Sequence, residues 1–425
     1  MAARHAQAGS TLGDHDRAGH PDRVQLIPLA VLAAIIRTHH DDGRSAVEGD
    51  SEPDAQDQHT DDDILVDLST DRYDVDPVVR GRRGTLDPAT CALSIGLTVD
   101  GVQIAIVTER GVVAASYRRP TNAPTPAHQP TRAPARPSAA EKKESTSGEE
   151  DPAAERLFAA VCAGADAVLH AAGFDLDRPT GLRGIGVLVA GRIDQHAGSV
   201  ECGPWQGFPL GERLAEQYDL PVALTTPAPA LLASEHWRGA ARGRRGVLAI
   251  DWDREINGAL ALGDRLLAGT TGNAGHIGHI CVDPYGPKCA CGARGCLQAV
   301  AGGAAICEWY SSHGGIEAGN DVTRIAHAAG RGDAIAQATL RRAGEAIGQA
   351  VAAVVTLLDL DVVVIGGPLG ALGPPVLDAV GDGYAAHAAL GYAAAPRVVP
   401  AVLGQESIPL GAAAAVLHPQ SYRSG

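Results

Sequence analysis

Short runs rich in apolar and β-branched residues, separated by turn residues, occupy 91–118 and are typical of β-strands. These runs predict consecutive strands at Leu93–Thr98, Val102–Thr108 and Val112–Tyr117, with a turn at 109–111. A helical period begins at about residue 153, and a strand at Gly184–Val189 follows it. The helical face carries the apolar residues Leu157, Val161, Ala165, Val168 and Leu169.

The second half of the chain repeats this mixture of strand and helix. Short apolar runs predict strands at Val247–Ile250 and Ala259–Leu262. A long helix is predicted at Ala334–Leu358, with Asp333 as its N-cap. The unbroken valine run at Asp361–Ile365 predicts a strand buried on both faces.

Two segments lack periodicity. Residues 1–23 are polar and predict a disordered lead, and 120–152 is a Pro-, Ala- and Ser-rich segment that predicts a solvated linker. Between them, Pro28 is suited to the first turn of a helix that runs to about His40.

The densest chemistry lies between residues 275 and 298. His279 is followed by three closely spaced thiols, Cys289, Cys291 and Cys296, and together they supply four soft or borderline ligands. This set is typical of a tetrahedral zinc site. Glycines at 292 and 295 allow the loop to turn back, so that the last two thiolates face the same ion.

The same segment, from Gly275 to Gln298, resembles the signature of the ROK family of repressors, open reading frames and sugar kinases. That signature is Gly-Glu-x-Gly-His, about ten residues, and Cys-x-Cys-Gly-x-x-Gly-Cys-x-Glu. Other segments follow in family order, namely Gly191–Asp194, Leu220–Val222, His236–Gly243, Val364–Gly367 and Leu410–Ala413.

The resemblance implies an α/β chain with the two-lobe actin-like, ribonuclease-H-like ATPase fold and a structural zinc ion. It places the first lobe at 81–223 and the second lobe, with the zinc loop, at 224–425. A homodimer is expected on the same ground. The 80 residues before the first lobe are an extension, which in a family repressor carries a winged helix-turn-helix.

The resemblance also identifies the positions of kinase chemistry, and three of them are substituted. The family's catalytic Asp falls on Pro227, which has no ionisable group. The first phosphate turn falls on Thr98–Val102 without its leading Asp, and the second falls on Asp253–Asn257, where carboxylates replace glycines. Carboxylates repel a triphosphate. The substitutions predict that the chain is not an enzyme.

The family's sugar contacts are partly retained. His279 is the intact contact, and His276 and Gln298 occupy positions where the family has glutamates. Both side chains can hydrogen-bond to hydroxyl groups. His276, His279 and Gln298 are therefore the candidate sugar-binding residues.

Charge limits the partners. The net charge of -15 opposes non-specific binding to nucleic acid and to anionic membranes. Residues 41–67 hold eleven acidic residues against one basic residue, Arg44, which disfavours a recognition helix there. Arg80, Arg82 and Arg83 could form a wing tip or a solvated turn. The first twenty residues lack the apolar core of a signal peptide, and the eight cysteines suit a reducing compartment, so a cytoplasmic location is expected.

Three functions remain open. The interpretation favoured by the substitutions is a non-catalytic, sugar-sensing transcriptional repressor or a degenerate derivative of one, with a small sugar as effector and DNA as a possible partner. An ATP-dependent, glucokinase-like sugar kinase is the alternative. The third is a scaffold that binds neither DNA nor sugar.

Overall fold

The computed structural model describes residues 90–98, 101–120, 151–175, 181–195, 197–270, 272–315, 321–388, 391 and 394–419. The expected N-terminal extension with its helix from Pro28, the basic group Arg80–Arg83, the linker at 121–150 and residues 99–100 of the first phosphate turn lie outside this range.

The first lobe is built on a five-stranded sheet of order β3-β2-β1-β4-β8. β1, β2 and β3 form antiparallel pairs, and β4 and β8 continue the sheet parallel to β1. Its elements are β1 (Cys91–Thr98), β2 (Gly101–Thr108), β3 (Val113–Pro120), α1 (Pro152–Ala171), β4 (Ile185–Val189), β5 (Arg192–Asp194), β6 (Ser199–Cys202), β7 (Trp205–Phe208), α2 (Leu210–Tyr218) and β8 (Val222–Thr225). The predicted strands and the helix from residue 153 are confirmed.

One face of this sheet packs on α1, whose N-terminus is capped by Asp151. The apolar face predicted from the helical period is the buried face, because Val161, Ala165 and Val168 are fully buried. Strands β5–β7 form a separate three-stranded sheet that the sequence did not predict.

A crossing helix, α3 (Pro227–Arg238), leads to the second lobe, whose sheet has the order β11-β10-β9-β12-β13. The remaining elements are β9 (Gly246–Trp252), β10 (Ile256–Leu262), β11 (Arg265–Leu266), α4 (Leu297–Ala301), α5 (Gly303–Ser312), α6 (Val322–Gly330), α7 (Ala334–Leu358), β12 (Val362–Gly366), α8 (Gly367–Gly370), α9 (Pro374–His387), β13 (Arg397–Pro400) and α10 (Ser407–Leu417).

The long helix α7 has the predicted bounds. Its N-cap is Asp333, whose carboxylate accepts from the backbone N–H groups of Ile335 and Ala336. Strand β12 is buried at every position, as the valine run predicts. Among the described residues, every helix is too short or too polar to span a bilayer.

The last helix, α10, returns from the second lobe and packs on the first sheet and on α3. The approach is close, because a Cβ atom at Gly186 of β4 would overlap the carbonyl oxygen of Ala412. Helices α3 and α10 are thus the two elements that join the lobes.

Candidate functional site

The predicted metal ligands lie together in the loop between β11 and α4. A 3-10 turn at Ile277–His279 presents His279, and a β-bridge between Cys281 and Cys296 brings the end of the loop back to its start. Gly295 has φ of 71°, and a Cβ atom there would overlap the carbonyl oxygen of Asp283. Glycine is therefore required where the loop closes.

The candidate ligand atoms of His279, Cys289, Cys291 and Cys296 all lie within 4.8 Å of one another. Cys289 Sγ is 3.7 Å from His279 Nδ1, and Cys291 Sγ is 3.7 Å from Cys296 Sγ. These separations suit four ligands around one tetrahedral ion, so the four side chains could hold a metal.

The thiols differ in their acidity. A backbone hydrogen bond from Ala293 lowers the pKa of Cys291, whereas burial raises the pKa of Cys296 to about 12. A buried thiol of that kind ionises only when a cation lies beside it, because the thiolate cannot otherwise compensate for lost hydration.

A cleft of about 3390 Å³ extends along the edges of both sheets. It reaches the loop with His279, Cys289, Cys291 and Cys296, which we call the metal loop. Pockets for one drug-sized ligand are about 300–1,000 Å³, so this cleft has room for two substrates. It lies at the carboxyl ends of parallel strands, where α/β folds bind their ligands. The strand ends at the cleft include Thr225 of β8, Asp251 of β9 and Gly366 of β12.

The structure places Pro227 at the first turn of α3, in the cleft wall. Thr226 precedes it as the N-cap and makes no capping bond through its side chain. The position expected to hold the catalytic Asp therefore has no carboxylate.

Asp251 is the carboxylate that the sequence interpretation missed. It pairs with Asn257 of β10 and with Gly366 of β12, so it lies at the centre of the second sheet where that sheet meets the cleft. Burial, and to a lesser extent the charge of Asp253, raises the pKa of Asp251 to about 6. The available sequence signal is an acidic residue directly after the apolar run Val247–Ile250.

The expected second phosphate turn is the bend between β9 and β10, with Asp253, Arg254 and Glu255 all lining the cleft. The backbone N–H of Gly303, at the start of α5, is 3.2 Å from the carbonyl oxygens of Asp253 and Arg254. Gly367, beside this bend, has φ of 75°, and a Cβ atom there would overlap the carbonyl of Trp252.

All three predicted sugar-binding residues line the cleft. His276 and His279 are exposed, and their ring centroids are 6.2 Å apart. Gln298 is half-buried, and its amide group is engaged by backbone. Its Oε1 accepts from the N–H of Ile256 at 2.7 Å, and its Nε2 donates to the carbonyl oxygen of Arg254 at 2.9 Å.

Comparisons with known proteins agree with this architecture. The chain is 29% identical over 248 residues to the glucokinase of Thermotoga maritima, covering 55% of this chain and 78% of that protein. The ROK hexokinase of Thermus thermophilus superposes with a TM-score of 0.61 at 26% identity, covering 78% and 99% of the two chains. A ROK-family transcriptional regulator, a homologue of the E. coli MLC protein, has a TM-score of 0.63 at 20% identity, covering 78% of each chain, which shows a shared fold.

The prediction that the chain is not an enzyme is wrong. Its similar relatives are named sugar kinases, and they point to an enzyme of that class. The prediction was based on substitutions at three separate positions, and it overlooked the carboxylate that β9 brings to the same cleft. The ROK family model matches residues 165–418, well over half of the chain, and the protein therefore belongs to the ROK family.

Proposed function

We propose that the chain is an ATP-dependent sugar kinase whose catalytic base is Asp251. The hexose lies beside His279, and the nucleotide phosphates lie beside the bend between β9 and β10. The observation that carries this proposal is a largely buried carboxyl group in the cleft with a pKa near 6.

Asp251 has the acidity that the reaction needs. A general base works best when its pKa is close to the working pH. At pH 7 the group is mostly ionised, yet it is a stronger base than an ordinary aspartate. Its carboxylate takes the hydroxyl proton as the sugar oxygen bonds to the γ-phosphorus, the bond from that phosphorus to the bridging oxygen breaks, and ADP leaves.

Charge at the bend sets the form in which the nucleotide binds. Asp253 and Glu255 repel a free triphosphate, and Arg254 between them offsets only part of that repulsion. The magnesium complex of ATP carries less negative charge, so the complex is the form that fits this wall of the cleft.

Zinc is the metal that suits the four-ligand cluster. Three thiolates and one imidazole are ligands that zinc favours, and tetrahedral zinc–sulfur bonds of about 2.3 Å place sulfur atoms about 3.8 Å apart. The 3.7 Å separation of Cys291 and Cys296 agrees with that value. With four protein ligands the site is closed, so the ion would fix the loop and hold His279 at the cleft.

The test is hexose-dependent release of ADP from Mg-ATP, with glucose, mannose, fructose and N-acetylated hexosamines as acceptors. We expect turnover with at least one of them and a loss of roughly a hundredfold or more in Asp251→Asn. The matched control is Asp264→Asn, at an exposed position in the turn between β10 and β11. An equal loss in both variants, or no hexose-dependent ADP release by the wild type, would overturn the proposal.

Sugar-responsive regulation of transcription is the second candidate function. It is favoured by Pro227 at the expected base position and by the carboxylates of Asp253 and Glu255 at the phosphate turn. In that case a hexose would bind without ADP release. A gel-shift assay with DNA from upstream of the protein's own locus, with and without the same sugars, would detect the regulator, and the absence of both DNA and sugar binding would support a scaffold.

We also propose that the protein forms a homodimer, because the resemblance to the family implies one. Light scattering at micromolar concentration would give twice the 43.5 kDa chain mass. A monomeric mass would contradict it.

A further inference from the structure

The segment that follows the last metal ligand holds the bend between β9 and β10 from one side. Cys296 is the N-cap of α4, and Gln298 lies in the first turn of that helix. Both polar atoms of the Gln298 side chain bond to the backbone of the bend, one as acceptor from Ile256 and one as donor to Arg254.

Two further bonds act beside Gln298. The indole N–H of Trp252 donates to the carbonyl oxygen of Ala301 at 2.8 Å, which anchors the end of β9 to the end of α4. The N–H of Gly303 points to the carbonyl oxygens of Asp253 and Arg254. The bend is therefore attached to the helix pair that starts at the metal loop, and Gln298 provides the two side-chain bonds.

The amide of Gln298 makes two bonds at a position where the family signature has a glutamate, and a glutamate could make only one of them. A glutamate could accept from the N–H of Ile256, but at neutral pH it could not donate to the carbonyl oxygen of Arg254. The negative charge of a glutamate would instead face the carbonyl oxygen of Arg254. Space is also restricted, because a Cβ atom at Gly302 would overlap Gln298 Nε2.

We infer that Gln298 is a positioning residue that couples the metal loop to the nucleotide-binding bend, so that the metal controls the order of the bend and the affinity for Mg-ATP. The nucleotide part of this inference rests on the proposed function. The coupling itself is a property of the fold and can be measured without any substrate.

The experiment follows hydrogen exchange of the Ile256 amide in the full-length protein. Gln298→Ala, which removes the acceptor of the Ile256 N–H, should exchange at least tenfold faster than wild type there while retaining one zinc per chain. Zinc-depleted wild type should also exchange faster. The control is Gln337→Ala, the same truncation on the surface of α7, where the amide donates to the carbonyl oxygen of Ala329. It should leave the Ile256 exchange unchanged.

Ligand affinities provide the second measurement. Gln298→Glu should bind a non-hydrolysable Mg-ATP analogue about tenfold more weakly and bind the accepted hexose within twofold of wild type. Gln298→Ala should show the same pattern, which covers the case that the charged variant folds poorly.

Unchanged exchange at Ile256 in Gln298→Ala, or in zinc-depleted wild type, would overturn the inference. A loss of hexose affinity with nucleotide affinity retained would also overturn it, and would instead make Gln298 a sugar contact. If wild type binds no nucleotide at all, the proposed function fails, and the exchange rates still decide whether the coupling exists.

Discussion

The two lobes have sheets of the same strand order but secure their first hairpins differently. In each lobe an antiparallel hairpin is followed by two strands parallel to its first strand. The first-lobe hairpin has a bond from Thr98 Oγ1 to the carbonyl oxygen of Gly101 across its turn. The second-lobe hairpin also has a bond within its bend, from the N–H of Asp253 to the carbonyl oxygen of Glu255, and is in addition held from outside, by α4 and α5. The same topology thus gains a fixed bend from the helices that follow the loop with the four candidate metal ligands.

Removing the metal should produce the largest effect and confine it to one lobe. Cys291→Ser should lose the ion and lower the midpoint of thermal unfolding of the second lobe by roughly 10 °C, because metal binding contributes to folding free energy and each kcal/mol shifts the midpoint of a lobe of about 200 residues by about 2–4 °C. Calorimetry and elemental analysis measure both quantities.

The control for that experiment is Cys281→Ser. Cys281 is exposed and its thiol points to the carbonyl oxygen of Arg294, outside the four-ligand cluster. It should keep one zinc per chain and the wild-type midpoint. Metal loss should speed hydrogen exchange in β9 and leave exchange in β1 unchanged. Faster exchange in both strands would contradict an effect confined to the second lobe.

Glu235 tests the connection between the lobes. Its fully buried carboxylate accepts from the N–H groups of Ala240, Val402 and Leu403, and so joins the end of α3 to the chain that enters α10. Glu235→Ala leaves three donors unpaired and should cost about 3 kcal/mol or more in urea unfolding. Glu216→Ala, at an exposed position on α2, should change stability by less than about 0.5 kcal/mol.

Replacing Asp251 with Asn should raise the stability of the folded protein and lower its activity. The folded pKa of Asp251 is about 6 against an ordinary value of 3.8, so the folded state binds the proton more tightly than the unfolded state does. The stability contribution of this group therefore falls as pH rises from about 3.8 to 6, and the full cost is present above pH 6. Asn carries no charge and avoids that cost.

We expect Asp251→Asn to be more stable than wild type at pH 7.5 by roughly 1–3 kcal/mol, since one pKa unit corresponds to about 1.4 kcal/mol. The advantage should be smaller at pH 5. Urea unfolding at both pH values measures it, and a variant less stable than wild type at pH 7.5 would show that Asp251 stabilises the sheet instead.

The sequence predicted the features that depend on short separations along the chain. The hairpins of the first lobe follow from short apolar runs between turn residues, α7 follows from its period and from Asp333, and the candidate metal ligands follow from the spacing of His279 and the cysteines. Each pattern lies within one local segment, so no tertiary information is needed to find it.

The rest depends on tertiary contacts. Strands β5–β7 are three or four residues long, too short for a period to be detected. The partners of Gln298 lie 42 and 44 residues away in the chain, so its bonds to the bend could not be foreseen. The raised pKa of Asp251 results from burial, which the residue type does not predict.

The most direct test of the account is the pH dependence of kcat/KM for phosphorylation of the accepted hexose. Wild type should lose activity as the pH falls, with a midpoint near 6, because protonated Asp251 cannot accept the hydroxyl proton. Any residual activity of Asp251→Asn should lack that midpoint. A wild-type profile that is flat between pH 5 and 8, or an Asp251→Asn variant that retains wild-type turnover, would contradict the assignment of Asp251 as the base.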